Sequence, residues 1–389
     1  MRTALAIVVL TFTLGLVSPL IQGQTREGDT STVLDEIHMI DRLNGWAMTH
    51  RRHVSVCGRE SCLLRTTDGG SRWRDVTPIS SSGQKVRVSR ISALSSLIAW
   101  VLPVAELDSS AQILSTADGG RTWRSAAIPP PAGLTGVSAS SISFINPREG
   151  WLIVFLVAYM GHEEDEIYRS TDGGETWTKV ASATSGDDSS SLPLDGSKTA
   201  ITFLNPTTGW LTVGDFSSPK QAHLYVTHDG GRKWRAENLP LPPQLGLHWG
   251  VHPRSVKPFA PRDAILRMDY SLFNDSGEIT GMVIVFYATI DSGTTWTYSV
   301  PVRRANDDYY PSSFADMNHG WLMNGFDLHA TSDGGRRWMT IQTSQLPVDV
   351  SQLTFVSPQV GWALKQDLLL KTLDGGGTWT PMNYTILRE

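Results

Sequence analysis

One eight-residue motif occurs seven times in the chain: Thr or Ser, any residue, Asp, Gly or Ser, Gly, two variable residues and Trp. The first copy is Thr66-Thr67-Asp68-Gly69-Gly70-Ser71-Arg72-Trp73. The others centre on Asp118, Asp172, Asp229, Asp291, Asp333 and Asp374 and end on Trp123, Trp177, Trp234, Trp296, Trp338 and Trp379. Only the fifth copy changes its first glycine, to Ser292. A chain that repeats one short motif over most of its length builds its fold from one repeated unit.

Upstream of each copy lies a second signature, an apolar residue, a short turn and Gly-Trp. It is clear from Phe144 to Trp151, Phe203 to Trp210, Phe314 to Trp321 and Phe355 to Trp362. Met39 to Trp46 begins the series, and Ala93 to Trp100 is a weaker version. The fifth unit is degenerate: Phe259-Ala260-Pro261-Arg262-Asp263-Ala264-Ile265 keeps the phenylalanine and proline but loses Gly-Trp. The two signatures account for thirteen of the fourteen tryptophans, which makes tryptophan core material here and leaves Trp249 outside the repeat.

Each unit contains short apolar or alternating runs between turn residues, as in Glu36 to Ile40, Gly45 to Val56, Cys62 to Thr67 and Arg72 to Val76. That is four strands per unit. Units of 41 to 62 residues, seven in number, predict an all-β fold: a single seven-bladed β-propeller of four-stranded antiparallel blades. In the motif itself, the Asp side chain can accept hydrogen bonds from turn amides while the glycines supply positive φ, so its chemistry needs no ligand. Thr32 to Leu34 and Thr385 to Arg388 are both able to add a closing strand to a terminal blade.

The paired signatures resemble the BNR or Asp-box repeat superfamily, most closely its photosystem II assembly and stability factor branch. The resemblance covers Glu36 to about Asn383. It implies the propeller fold and, through that branch, a role in assembly or stability of an envelope or thylakoid membrane complex. The same box also occurs in sialidases, xyloglucanases and sortilin-type receptors, so it specifies fold more closely than function.

Arg2, the apolar run Ala4 to Val17, Pro19 and the polar Gln22-Gly23-Gln24 follow the order of a secretory signal peptide. The expected organisation is a signal peptide over 1–23 and a propeller over 24–389, secreted or periplasmic, monomeric and not integral to a membrane. Cys57 and Cys62, the two cysteines, flank a turn-like tetrapeptide and are expected to form a hairpin disulfide in an oxidising compartment. A net charge of −5 gives no global reason to bind nucleic acid or an acidic membrane, though a local basic patch is compatible with it.

The motif joins the third and fourth strands, so all seven copies share one face, and function is expected among the loops of the opposite face. The connection Glu237 to Pro258 contains His248-Trp249-Gly250-Val251-His252-Pro253-Arg254, and the next connection contains Arg303-Arg304-Ala305-Asn306-Asp307-Asp308-Tyr309-Tyr310. Trp249, His252, Arg254, Arg303, Arg304, Tyr309 and Tyr310 are the partner-binding candidates, because aromatic residues and arginine are enriched at interfaces. His162-Glu163-Glu164-Asp165-Glu166 and Thr49-His50-Arg51-Arg52-His53 are charged hairpin tips whose simpler reading is a solvated loop. No metal or cofactor is expected: Gly250 and Pro253 argue against a helical His248/His252 pair.

A glycosidase needs two carboxylates about 5 to 10 Å apart. Glu163, Glu164, Asp187, Asp188, Asp307 and Asp308 are available, with nothing in the sequence linking any two. A sialidase would add an arginine cluster beside a tyrosine, yet the Arg-Ile-Pro motif of that family is missing. The sequence therefore favours a non-catalytic scaffold that binds a protein or a polysaccharide, with a xyloglucanase- or sialidase-type hydrolase as the alternative.

Overall fold

The computed structural model describes residues 34–49, 61–106, 109–159, 162–185, 191–214, 223–245, 249–259, 261–304, 310–344, 346–347, 349–365 and 368–387. They form seven sheets, antiparallel except for one added strand in the first, that follow one another along the chain as the blades of a propeller, with one 3-10 turn at Pro243–Leu245. Blade one runs outward through Glu36–Met39, Gly45–Met48, Leu63–Thr66 and Arg72–Asp75. No described helix is long and apolar enough to cross a membrane.

The eight-residue motif builds the same turn seven times. In box one, Thr66 Oγ1 donates to Asp68 Oδ1 at 3.0 Å and accepts from Gly70 N at 3.0 Å, while Asp68 Oδ1 accepts from Arg72 N at 2.9 Å. The first two of these bonds recur in every box. Gly69 and Gly70 sit at φ 79° and 98°, a region that costs an L-residue strain, which is why glycine fills it. The first turn amide then reaches across the blade: Gly69 N donates to Leu43 O, and the equivalent bond recurs in the other six blades. Boxes and first-to-second-strand turns therefore share one face.

The Gly-Trp signature joins one blade to the next. Trp100, Trp151, Trp321 and Trp362 each donate the indole N–H to the carbonyl of the first box glycine of the following blade, at 2.7 to 3.1 Å. The following blade's phenylalanine lies flat on the same indole: Trp100–Phe144, Trp151–Phe203 and Trp321–Phe355 have centroids 3.5 to 3.7 Å apart and planes within 5°. Each phenylalanine then meets its own box tryptophan edge-on at 5.8 to 6.1 Å. Such aromatic pairs add about 1 kcal/mol each beyond buried area. The ring also explains the glycine of Gly-Trp, since a Cβ on Gly150 would lie 2.5 Å from Phe144.

The ring closes through the later of the two candidate strands. Thr385–Leu387 lies parallel to Arg72–Arg74 as a fifth, outermost strand of blade one. On the inner side, the Gln352 side chain accepts from Ile37 N and donates to Ile37 O, both at 2.8 Å. Of the alternative strand, Thr32 lies outside the described residues. Cys62 is buried and disulfide-bonded, and Cys57 lies outside the described residues.

Blade five departs from this plan. Its inner strand is split into Trp249–Pro253 and Lys257–Pro258, both paired with Ala264–Phe273, and its outer strand into Thr297–Tyr298 and Val302–Arg303. Much of what the sequence presents as a connection before Pro258 is thus the innermost strand of this blade. Without a Gly-Trp indole to lie on, Phe314 of blade six packs against Phe286 at 5.0 Å.

Candidate functional site

The seven inner strands surround an axial channel. One half, of about 580 Å³, is lined by blades one, two, five, six and seven; the other, of about 710 Å³, by blades two to five. Arg254 and Ser255, which occupy the break in the inner strand of blade five, line both halves.

The wall on the blade-five side is basic. Arg267 projects from the middle of an apolar strand and chelates Asp269, Nε to Oδ1 at 2.6 Å and Nη2 to Oδ2 at 3.0 Å. Its remaining nitrogen donates to Tyr310 O at 2.6 Å and Ser312 Oγ at 2.9 Å, tying blade five to blade six. Arg254 shares Asp269 at 3.3 Å. Lys257 donates to Phe314 O at 2.6 Å, lies over the Phe259 ring and lines the channel. Water reaches its side chain, yet protein surrounds it on most sides, and that loss of solvation holds its ammonium pKa below the usual value. Arg90 adds a cation from blade two.

The sequence candidates divide between this wall and the end of blade five away from the boxes. Arg254 is on the wall. His252 stands behind it, its pKa lowered first by burial and then by Arg254 and Arg304, against the opposing pull of Asp269. Tyr310 is 3% exposed, and Arg304 stacks on its ring at 5.0 Å, so this tyrosine supports the wall from within the core. Arg303 is exposed, pairs across from Val283 and donates to Thr280 O at 3.3 Å. The backbone of Trp249 pairs with Leu272, in the row that continues to Gly281, two residues along the sheet from the row of Arg303. Ile279 and Phe326, 58% and 78% exposed, stand at the neighbouring hairpin ends of blades five and six. The Trp249 side chain, His248 and Tyr309 lie outside the described residues, as do Asp187, Asp188, Asp307, Asp308 and the tip His50 to His53.

The blade-three acidic run is not the bare solvated tip that its composition suggests. His162–Ser170 is a strand in which Asp165 and Glu166 are buried. Lys198 Nζ stands 3.3 Å from Asp165 and donates to the carbonyls of Glu163, Leu194 and Gly196. Burial, with Glu163 close by, pushes the Asp165 carboxyl up to about 7 despite Lys198. Glu164 is occupied by Ser185 N and the Tyr159 hydroxyl.

Lys257 and Arg267 went unmarked as site residues at the level of sequence. A signal existed for Arg267: an Arg-x-Asp pair inside the apolar run Ala264 to Phe273 is costly unless both charges are satisfied. Lys257 carries no such mark, since its significance comes from the strand break beside it.

Fold and repeat together define this protein as a seven-bladed Asp-box β-propeller. The family model for the BNR/Asp-box repeat matches residues 168–179, which span the third box. The chain is similar to a xyloglucanase of Hypocrea jecorina, 24% identical over 283 residues, covering 65% of this chain and 32% of that protein, so it spans about a third of that relative's length. Among solved structures it resembles YCF48 bound to D1 peptide, with a TM-score of 0.51, 18% identity and coverage of 89% and 93%. It also resembles the GH74 enzyme of Niastella koreensis, with a TM-score of 0.56, 14% identity and coverage of 91% and 55%. At these identities the structural likenesses establish the fold.

Proposed function

We propose that the chain is an exported, non-catalytic scaffold that holds a protein partner against the face opposite the boxes and the adjoining mouth of the axial channel. The observation that carries this reading is the basic wall of Arg254, Lys257 and Arg267, where a glycosidase would present a pair of free carboxylates. Asp269, the carboxylate at that wall among the described residues, is engaged by two arginines. A sialidase-type tyrosine nucleophile also lacks support: the Tyr270 hydroxyl pairs with that of Tyr287, and burial pushes it up to about 12. Arg303, Phe326 and Ile279, exposed on rigid hairpins, offer a partner one charged and two apolar contacts with little ordering cost.

Similarity to YCF48, whose structure contains a D1 peptide, supports a protein as the partner and suggests a role in assembling or stabilising an envelope or photosynthetic membrane complex. The test is affinity capture from envelope extract of the source organism, comparing wild type with a Trp249→Ala, Arg303→Ala, Arg304→Ala variant. A protein retained by wild type and lost by the variant is the expected result; identical captures sink this face. The xyloglucanase similarity favours a second reading, and release of reducing ends from xyloglucan by the purified chain would establish it.

A further inference from the structure

The repeat sets equivalent residues at equivalent points of different blades, and one such position is cationic in three of them. The residue before the box threonine or serine is Arg65 in blade one, Arg169 in blade three and Lys371 in blade seven. Arg169 is provided for within the molecule: Nη2 donates to Glu149 at 2.9 Å, and the guanidinium lies over Trp151 at 5.0 Å. Lys371 lies over Trp362 at 4.8 Å, and the Asp68 carboxylate opposes the effect of its burial.

Arg65 lacks such support among the described residues. Where Glu149 precedes Gly150-Trp151, blade one carries Asn44 before Gly45-Trp46. The acid of that turn stands three places earlier, at Asp41, and accepts from Leu43 N, Asn44 N and the Asn44 amide. Arg65 instead meets positive charge. Arg74 stands directly across from it on the outer strand, where Thr178 stands across from Arg169. Burial, Arg121 of the blade-two box and Arg74 all lower the Arg65 pKa, against the pull of Asp118. Asp118 is committed to its own turn, accepting from the Thr116 and Thr122 hydroxyls and the Thr122 amide.

The hydrogen bonds of Arg65 are equally incomplete. Its Nη1 reaches Gly119 O of the blade-two box at 3.4 Å, a long bond, and its Nε is buried without an acceptor among the described residues. The indole of this junction does not fill the space, because Trp46 donates to Ser95 O at 3.0 Å. Like charges set directly across a strand pair cost stability, as does a buried donor left unused. Arg74 has contacts of its own, whereas Arg65 and Arg121 take part in no ion pair among the described residues. One guanidinium fork fills the two oxygens of a carboxylate; two forks from different blades suit a group with three oxygens.

We propose that the groove between blades one and two, on the box side of the ring, binds a tetrahedral oxyanion, the phosphate or sulfate group of an ester, through Arg65 and Arg121. The site is separate from the partner face at the other side of the ring. The capture variant above keeps both arginines, so either reading can fail while the other stands.

The test is calorimetric titration of the purified chain with phenyl phosphate and phenyl sulfate at fixed ionic strength, with benzoate as the carboxylate control. Binding of one molecule per chain by at least one ester, about tenfold or more tighter than benzoate, is expected, and the tighter ester assigns the group. Arg121→Ser, which installs the residue that box one carries as Ser71, should weaken binding about tenfold. A second variant combines Asp41→Asn with Asn44→Glu. It reproduces the Asn146 and Glu149 pair of blade three without changing net charge. By giving Arg65 a carboxylate of the chain's own, it should weaken ester binding at least about tenfold and raise the unfolding midpoint by about 1 to 2 °C. If the double variant fails to fold, Arg121→Ser decides. No heat from either ester, benzoate bound as tightly as both, or wild-type affinity in Arg121→Ser overturns the proposal.

Discussion

The junction between blades three and four and the junction between blades four and five start from the same signature and end differently. In the first, Trp151 is capped by Phe203 at 3.7 Å, donates to Gly230 O at 2.9 Å and carries Arg169 at 5.0 Å from its ring. In the second, Trp210 is equally buried, but its indole N–H finds no acceptor among the described residues, and it meets the box tryptophan Trp296 edge-on at 6.0 Å. The facing box carries Ser292 at φ 63°, where glycine stands elsewhere. Regular junctions are held by a stack and a latch; blade five gives up both and is joined to blade six by Lys257 and Arg267 instead. The blade with least use of the repeat is the one free to supply the channel with charge.

The largest expected effect tests the regular junction. Trp151→Ala should cost about 4 kcal/mol in denaturant unfolding, through lost burial, stacking and the cavity left behind. A sharper contrast comes from phenylalanine, which keeps the ring and removes the N–H. Trp151→Phe should cost about 2 kcal/mol because Gly230 O loses its donor, and Trp210→Phe under about 1 kcal/mol because no latch exists to lose. Equal losses would mean the missing bond is irrelevant. Ser292→Gly should stabilise by about 0.5 kcal/mol, the left-handed strain relieved less the backbone entropy glycine adds; a loss of stability would show that the serine contributes something beyond strain.

The smallest effect lies at acid pH. Hydrogen bonds from Thr122 hold the Asp118 carboxyl down to about 2, and those from Thr378 do the same for Asp374. A folded pKa below the ordinary 3.8 contributes stability that is present above about pH 4 and lost as pH falls through about 2. Asp118→Asn should therefore flatten the acid limb of the stability curve by a few tenths of a kcal/mol, because solvent reaches this half-buried carboxylate and screens it. An unchanged limb would mean that the folded and unfolded pKa values are alike.

The boxes, their shared face, the four-strand blades and the degenerate fifth unit were all readable, because each depends on residues a few positions apart. What escaped was set by neighbours distant in the chain. Trp151 and Gly230 are separated by 79 positions, and nothing local announces that one donates to the other. Tyr310 looked like a surface aromatic in a charged loop, yet the space left beside blade five draws it into the core. Asp165 and Glu166 belonged to a run of charge, but the strand continues through them and Lys198 arrives from the next blade. The basic channel was half visible through Arg254; its partners became evident only in the fold, where Lys257 follows the break in the inner strand and Arg267 reaches the channel from the unbroken strand behind it.

The outermost strand of blade one is made of Thr385–Leu387. A polypeptide emerging vectorially from its N-terminal side therefore cannot finish blade one until the strand that follows blade seven is free. Until then, that blade presents Arg72–Asp75 as an open edge, and whatever shields such edges during biogenesis has to attend to blade one while the six later blades are made.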